Sequence, residues 1–170
     1  MVRPPLTRGL GRLGKRRQFR TFVSGVIPGA LALTHAGAAS RPELSDGPQG
    51  AADRALRLLS ADATALEAAV EATVVLEDDP RFNAGTGANI RLDGATIQMD
   101  AALMTQGGEF AAVAAIERVK NPIRAARLVL DSPHVLLAGE GATRFAHRLG
   151  LPDEVPTSTH AVEKYEERLK

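Results

Sequence analysis

Between Ala51 and Pro80 the chain reads "AADRALRLLSADATALEAAVEATVVLEDDP", and this stretch constrains the fold more than any other. Leu56 and Leu59, then Leu66, Val70 and Val74, recur at three- and four-residue spacing, which predicts two consecutive helices. Thr64 with Glu67 three residues on has the form of a capping box, so the second helix should start there and run to Leu76 or Glu77, where Pro80 forbids continuation. Two strands follow in "ATIQMDAALM" (95–104) and "GGEFAAVAAIERV" (107–119), joined as a hairpin. Asn121 and Pro122 read as N-cap and first residue of a helix whose Ile123, Ala126 and Leu130 share a face. "SPHVLLAG" (132–139) reads as a strand buried on both faces, "EGATRFAHRLG" as a helix closed by Gly150, and "HAVEKYEERLK" as a charged terminal helix. The order predicts an α+β layered domain with too few strands for a complete sheet.

Composition narrows the function classes. Of 170 residues 44% are hydrophobic, enough for one packed domain, but there is one Tyr and no Trp. A core of Ala, Val, Leu and Ile follows, with little on which nucleic-acid bases could stack. The absence of Cys removes disulfides, thiolate metal sites and a cysteine nucleophile. Net charge is +1, but residues 1–20 hold seven basic residues and no acid, so the remainder stands at −6, the wrong sign for a phosphate-backbone binder.

Residues 1–40 admit two readings besides that of a plain basic tail, neither targeting nor structural. Arg16 and Arg17 precede an uncharged run, Thr21–Ser40, that ends in the small residues "AGAAS", the layout of a twin-arginine-like export signal. Equally, "ALALTHAGA" (30–38) reads as a strand entering a small-residue turn behind a basic leader. The run is too poor in Leu, Ile and Val for a membrane span. Residues 41–50, "RPELSDGPQG", read as a loop leading into the body at 51–170.

The chemistry-bearing stretch is "LEDDPRFNAGTGANI" (76–90). Glu77, Asp78 and Asp79 crowd the end of a helix whose carbonyls already carry partial negative charge. Either these acids are simply solvated, or a hard cation held by backbone oxygens answers them. Gly85 and Gly87 allow unusual backbone angles, and Asn83 offers an uncharged hydrogen-bonding side chain on the turn. No strand leads into this loop and no Lys follows, which argues against a phosphate-binding loop. His134 and His147 lie on apolar elements and read as structural or surface residues, His35 and His160 lack a neighbouring acid at metal-ligand spacing, and Arg118 and Lys120 read as surface. Asp100 could orient nearby backbone, but it reads first as a buried structural aspartate.

"LEDDPRFNAGTGANI", "MDAALM", "IERVKNPIRAARLVL" and "SPHVLLAGEGATRFAHRLG", in this order and spacing, resemble the N-terminal half of the plant-type asparaginases, or isoaspartyl peptidases, over about residues 51–170. Glycosylasparaginases share the "DA", "KNPI" and "PHVLL" elements, but the "FNAG.G" loop is closer to the isoaspartyl peptidases. The resemblance implies an N-terminal nucleophile hydrolase: a four-layer αββα sandwich made as a precursor that cleaves itself into an α chain and a β chain. The new N-terminal Thr of the β chain would attack an asparagine side-chain amide or a β-aspartyl peptide bond, its free amine acting as base. It implies that Asn83 lies near that Thr, and that main-chain carbonyls of Leu76, Glu77, Asp79, Phe82, Ala84 and Thr86 hold a structural sodium ion, with no organic cofactor. The expected partners are the β chain, in an (αβ)2 assembly, and a small-molecule or dipeptide substrate, with no nucleic acid. The family is cytoplasmic, against which stands the export reading of residues 1–38. Thr157 and Thr159 lack the context of a cleavage site, so the nucleophile is expected outside these residues and this chain alone is expected to be inactive. The "HGGAG" loop of the family is matched only by "THAGA" (34–38), with glycines replaced, which keeps open a catalytically inactive homologue acting as an interaction module.

Overall fold

The computed structural model describes residues 22–27, 29–36 and 42–170; the basic leader at 1–21 and most of the "AGAAS" segment lie outside the described residues. Strands β1 (Phe22–Ile27) and β2 (Ala30–Thr34) form an antiparallel hairpin turned at Gly29, whose φ of 84° suits a residue without Cβ. Thr34 Oγ1 donates to the Pro48 carbonyl at 2.6 Å, tying the hairpin to the first helix.

Helix α1 runs Asp46–Leu59, so the second half of the expected loop at 41–50 is helical. Pro48 falls in the first turn, where its missing N–H costs no intrahelical bond. Gly47 is buried, and a Cβ there would overlap the Phe82 ring, so the glycine that looked like loop punctuation makes room for an aromatic. Helix α2 (Ala65–Glu77) carries the capping box: Thr64 Oγ1 accepts from the Glu67 N–H at 3.2 Å, and Glu67 Oε2 accepts from the Thr64 N–H at 2.8 Å. Thr64→Ala should lower stability by about 1 kcal/mol, checked by the denaturation midpoint; an unchanged midpoint would mean the box is not formed in solution.

Strands β3 (Met99–Met104) and β4 (Phe110–Ile116) make the expected hairpin, and β5 (Leu136–Ala138) joins β4 in parallel. Residues 95–98, expected in the first strand, precede it instead, with Ala95 and Thr96 held in a turn where Asp93 accepts from their N–H groups. Helix α3 (Pro122–Leu130) connects β4 to β5, followed by α4 (Gly139–Arg148) and α5 (Thr159–Arg168). Gly150, at φ 95°, ends α4 as expected.

The helices stand in a row, α1 on α2, α2 on α3 and α3 on α4, with α1 beneath the β1–β2 hairpin and α3 and α4 beneath the three-stranded sheet. Met99, Ala111, Val113 and Ile116 pack on Ala125, Ala126, Val129, Ala142 and Ala146, and alanines of α1, α2 and β2 form a second cluster. Alanine at these contacts lets helix and sheet approach closely, which a core with five Phe in the whole chain requires. The opposite face of the sheet is apolar too. Met104, Phe110 and Leu136 are 70%, 46% and 55% exposed there. The strand expected to be buried on both faces, at 132–139, is thus an exposed edge, because no layer lies over it among the described residues.

Candidate functional site

The acids at the end of α2 each have a partner within the protein. Asp79 accepts from the Arg81 N–H and Nε at 3.0 and 2.9 Å, and the same guanidinium reaches Asp46 on α1 at 3.0 and 2.8 Å. These bonds hold both carboxyls below the usual range. Asp78 pairs with Lys120 at 3.0 Å and accepts from Asn121 Nδ2 at 3.0 Å. Glu77 is buried, 3% exposed, and its Oε1 accepts from the Ile123 N–H at 3.0 Å. Burial pushes its carboxyl up to about 7. The crowding of carboxylates therefore does not by itself require an ion. The same contacts revise α3: Asn121 occupies the N-cap position but its side chain accepts from no N–H of its own helix, and Glu77 supplies the side-chain acceptor for Ile123 instead.

The backbone of the loop is a separate matter. Pro80 has no N–H to return to the Leu76 carbonyl, and the Arg81 N–H that would serve the Glu77 carbonyl goes to Asp79 Oδ1. Asp79, Phe82 and Ala84 carbonyls each accept one loop N–H, from Phe82, Ala84 and Gly87, which leaves each a second lone pair. Two glycines let the chain fold this tightly. A Cβ on Gly85, at φ 51°, or on Gly87 would come closer than 3.0 Å to the Glu77 carbonyl or to those of Phe82 and Pro80. The carbonyl set named from sequence thus spans the last turn of α2 and the tight loop after it, and it offers oxygen donors of the kind that hard cations take.

Asn83 sits at the mouth of this loop with its orientation fixed. Its Oδ1 accepts from the Asn89 N–H at 2.9 Å, and since a backbone N–H can only donate, the facing atom must be oxygen. The amide N–H groups are left free to donate elsewhere. Asn83 lines an open cleft of about 440 Å³ together with His35, Thr73, Glu77, Asp100 and Ile123. Asp100 is exposed rather than buried, and it does orient backbone: Oδ1 accepts from the N–H of Ala115, whose φ is 48°. That tie sits beside the register shift between Met99 and Ala101.

The cleft continues along α2. Its floor is Ala65, Ala69 and Thr73, and its walls are Leu31–His35 of the β2 edge on one side and Ala102–Gln106 of the β3 edge on the other. Neither edge is paired across the gap. Of the other candidates, His134 is exposed and His147 Nε2 lies 2.8 Å from the Arg118 carbonyl, while Arg118 pairs with Asp153. Among the described residues His35 and His160 belong to no group of three metal-ligating side chains.

The family model for asparaginase matches residues 23–170. The plant-type L-asparaginase of Pyrococcus furiosus is 49% identical over 109 residues, 63% of this chain and 35% of its own length. The isoaspartyl peptidase/L-asparaginase of Mus musculus is 37% identical over 149 residues, 82% of this chain and 45% of its own. The chain belongs to the asparaginase family that this model describes, and it spans less than half the length of these two relatives.

Proposed function

We propose that this chain is the α half of an N-terminal nucleophile hydrolase that cleaves asparagine side-chain amides or β-aspartyl peptide bonds, and that it works only when a β half completes it. The observation that carries this reading is the slot over α2. Two unpaired strand edges face each other across a floor of small residues, and the slot ends at the donor face of Asn83. A strand from the partner would pair with both edges, and its own layer would cover Met104, Phe110 and Leu136.

With an N-terminal Thr at the head of that strand, its hydroxyl would attack the carbonyl carbon of the scissile amide while its amine takes the proton. Asn83 Nδ2 would donate to the attacking oxygen or to the developing oxyanion. The leaving amine would depart protonated, as ammonia or a freed α-amine, and water would then hydrolyse the acyl ester. Residues 76–87 would hold a sodium ion through the carbonyls of Leu76, Glu77, Asp79, Phe82, Ala84 and Thr86. Such an ion supplies fixed positive charge among carbonyl dipoles and no step of the reaction. If the loop is a sodium site, sodium chloride should raise Tm above choline chloride at equal ionic strength; equal Tm in both salts would remove the ion from the account.

A second reading rests on the replaced glycines of "THAGA", which leave an inactive homologue whose apolar face serves interaction alone. Co-expression of this chain with a Thr-initiated β half tests the partner claim. Co-purification as a stoichiometric pair is expected under both readings, and hydrolysis under the first only.

A further inference from the structure

The Glu77 side chain has no part in the chemistry above, yet it is the most deeply buried carboxylate among the described residues. It is the last residue of α2, and its surroundings join the loop to α3. Oε1 accepts from the Ile123 N–H at the α3 N-terminus, while Oε2 is buried without a hydrogen-bond partner. On the other side, the Glu77 carbonyl and Cβ press against Gly85, so a shift of this residue moves the loop directly. Asp78 repeats the connection through Lys120 and Asn121. Asn83 lies six positions on, in the same closed loop and lining the same cleft as Glu77 and Ile123.

We infer that Glu77 is a positioning residue: its carboxyl bolts the loop to the start of α3 and thereby fixes where the Asn83 amide points. The inference rests on the functional reading for its purpose, but its geometry stands alone. What matters is the reach of the side chain to the Ile123 N–H. A buried helix-end N–H without an acceptor is costly, so the bond is worth more than an exposed cap. Charge is secondary, since an amide oxygen can accept from the Ile123 N–H as a carboxylate oxygen does. Two variants separate reach from charge. Glu77→Gln keeps length and an acceptor oxygen, whereas Glu77→Asp keeps the carboxyl but is one methylene too short.

Amide hydrogen exchange in the full chain reads the result at Asn89, whose N–H is the one that Asn83 Oδ1 accepts, with Val113 in β4 as internal reference. Glu77→Asp should lower protection at Asn89 by about tenfold relative to Val113, and Glu77→Gln should stay near wild type. Equal loss at both sites would make Glu77 a mere fold stabiliser, and wild-type protection in Glu77→Asp would make it irrelevant; either result overturns the inference. So would loss in Glu77→Gln with retention in Glu77→Asp, which would assign the role to charge. In the enzyme completed by its β half, Glu77→Asp should lower kcat about tenfold with KM little changed, and Glu77→Gln should restore it. A wild-type pair with no activity at all would end the hydrolase reading while leaving the exchange result to decide the role of Glu77.

Discussion

Gly87→Ala should lower Tm by about 5–10 °C, the effect of about 2–3 kcal/mol in a domain of this size. The new Cβ would fall within 3.0 Å of the carbonyl oxygens of Phe82 and Pro80. Both obstacles are backbone, so no side-chain rotation relieves them, and the loop itself must open. Phe82 would then be dislodged from its seat against Gly47, which ties the loop to α1 and adds to the loss. Gly50→Ala provides the contrast. Gly50 lies in α1 with nothing within 4 Å of its Cβ position, and alanine there should be neutral or stabilising by up to about 1 kcal/mol. Matching midpoints for the two variants would show that the loop is not packed as described.

Asn83→Ala should leave the chain folded and cut turnover of the completed enzyme by about 10²–10³-fold, the effect of removing one preorganised donor from a reacting oxygen. Its side chain is exposed and its single bond to Asn89 is local, so little stability is at stake. Asn83→Asp is the sharper variant. One carboxylate oxygen can still accept from the Asn89 N–H, but the other would face the cleft as an acceptor with negative charge. The loop should keep its shape while the donor is inverted, so activity should fall at least as far as in Asn83→Ala. Full turnover by Asn83→Asp would exclude a donor role.

Local signals were legible in the sequence where the physics is local. Thr64 and Glu67 announced the start of α2, Pro80 its end, and Gly150 the end of α4. Gly85 and Gly87 marked a tight loop because no other residue tolerates such close backbone approach. The misread features were those decided by distant partners. Gly47 and Pro48 looked like loop residues because Phe82, 35 positions on, is what fits against Gly47. Asn121 looked like the cap of α3 because Glu77, which takes that role, is 46 residues from the Ile123 N–H that it accepts. Val135 and Leu136 looked like core, since an apolar strand reads the same whether or not a layer covers it. The acids at 77–79 drew attention for the right reason, their sign at a helix end, but their answers came from Arg81, Lys120 and the α3 N-terminus.

The most direct measurement is ammonia release from L-asparagine, and amine release from a β-aspartyl dipeptide, by this chain co-expressed with a Thr-initiated β half. The pair should hydrolyse at least one of the two substrates. The chain alone, and the pair with that Thr replaced by alanine, should hydrolyse neither. A co-purified pair that stays silent on both substrates, or hydrolysis by this chain alone, would contradict the account.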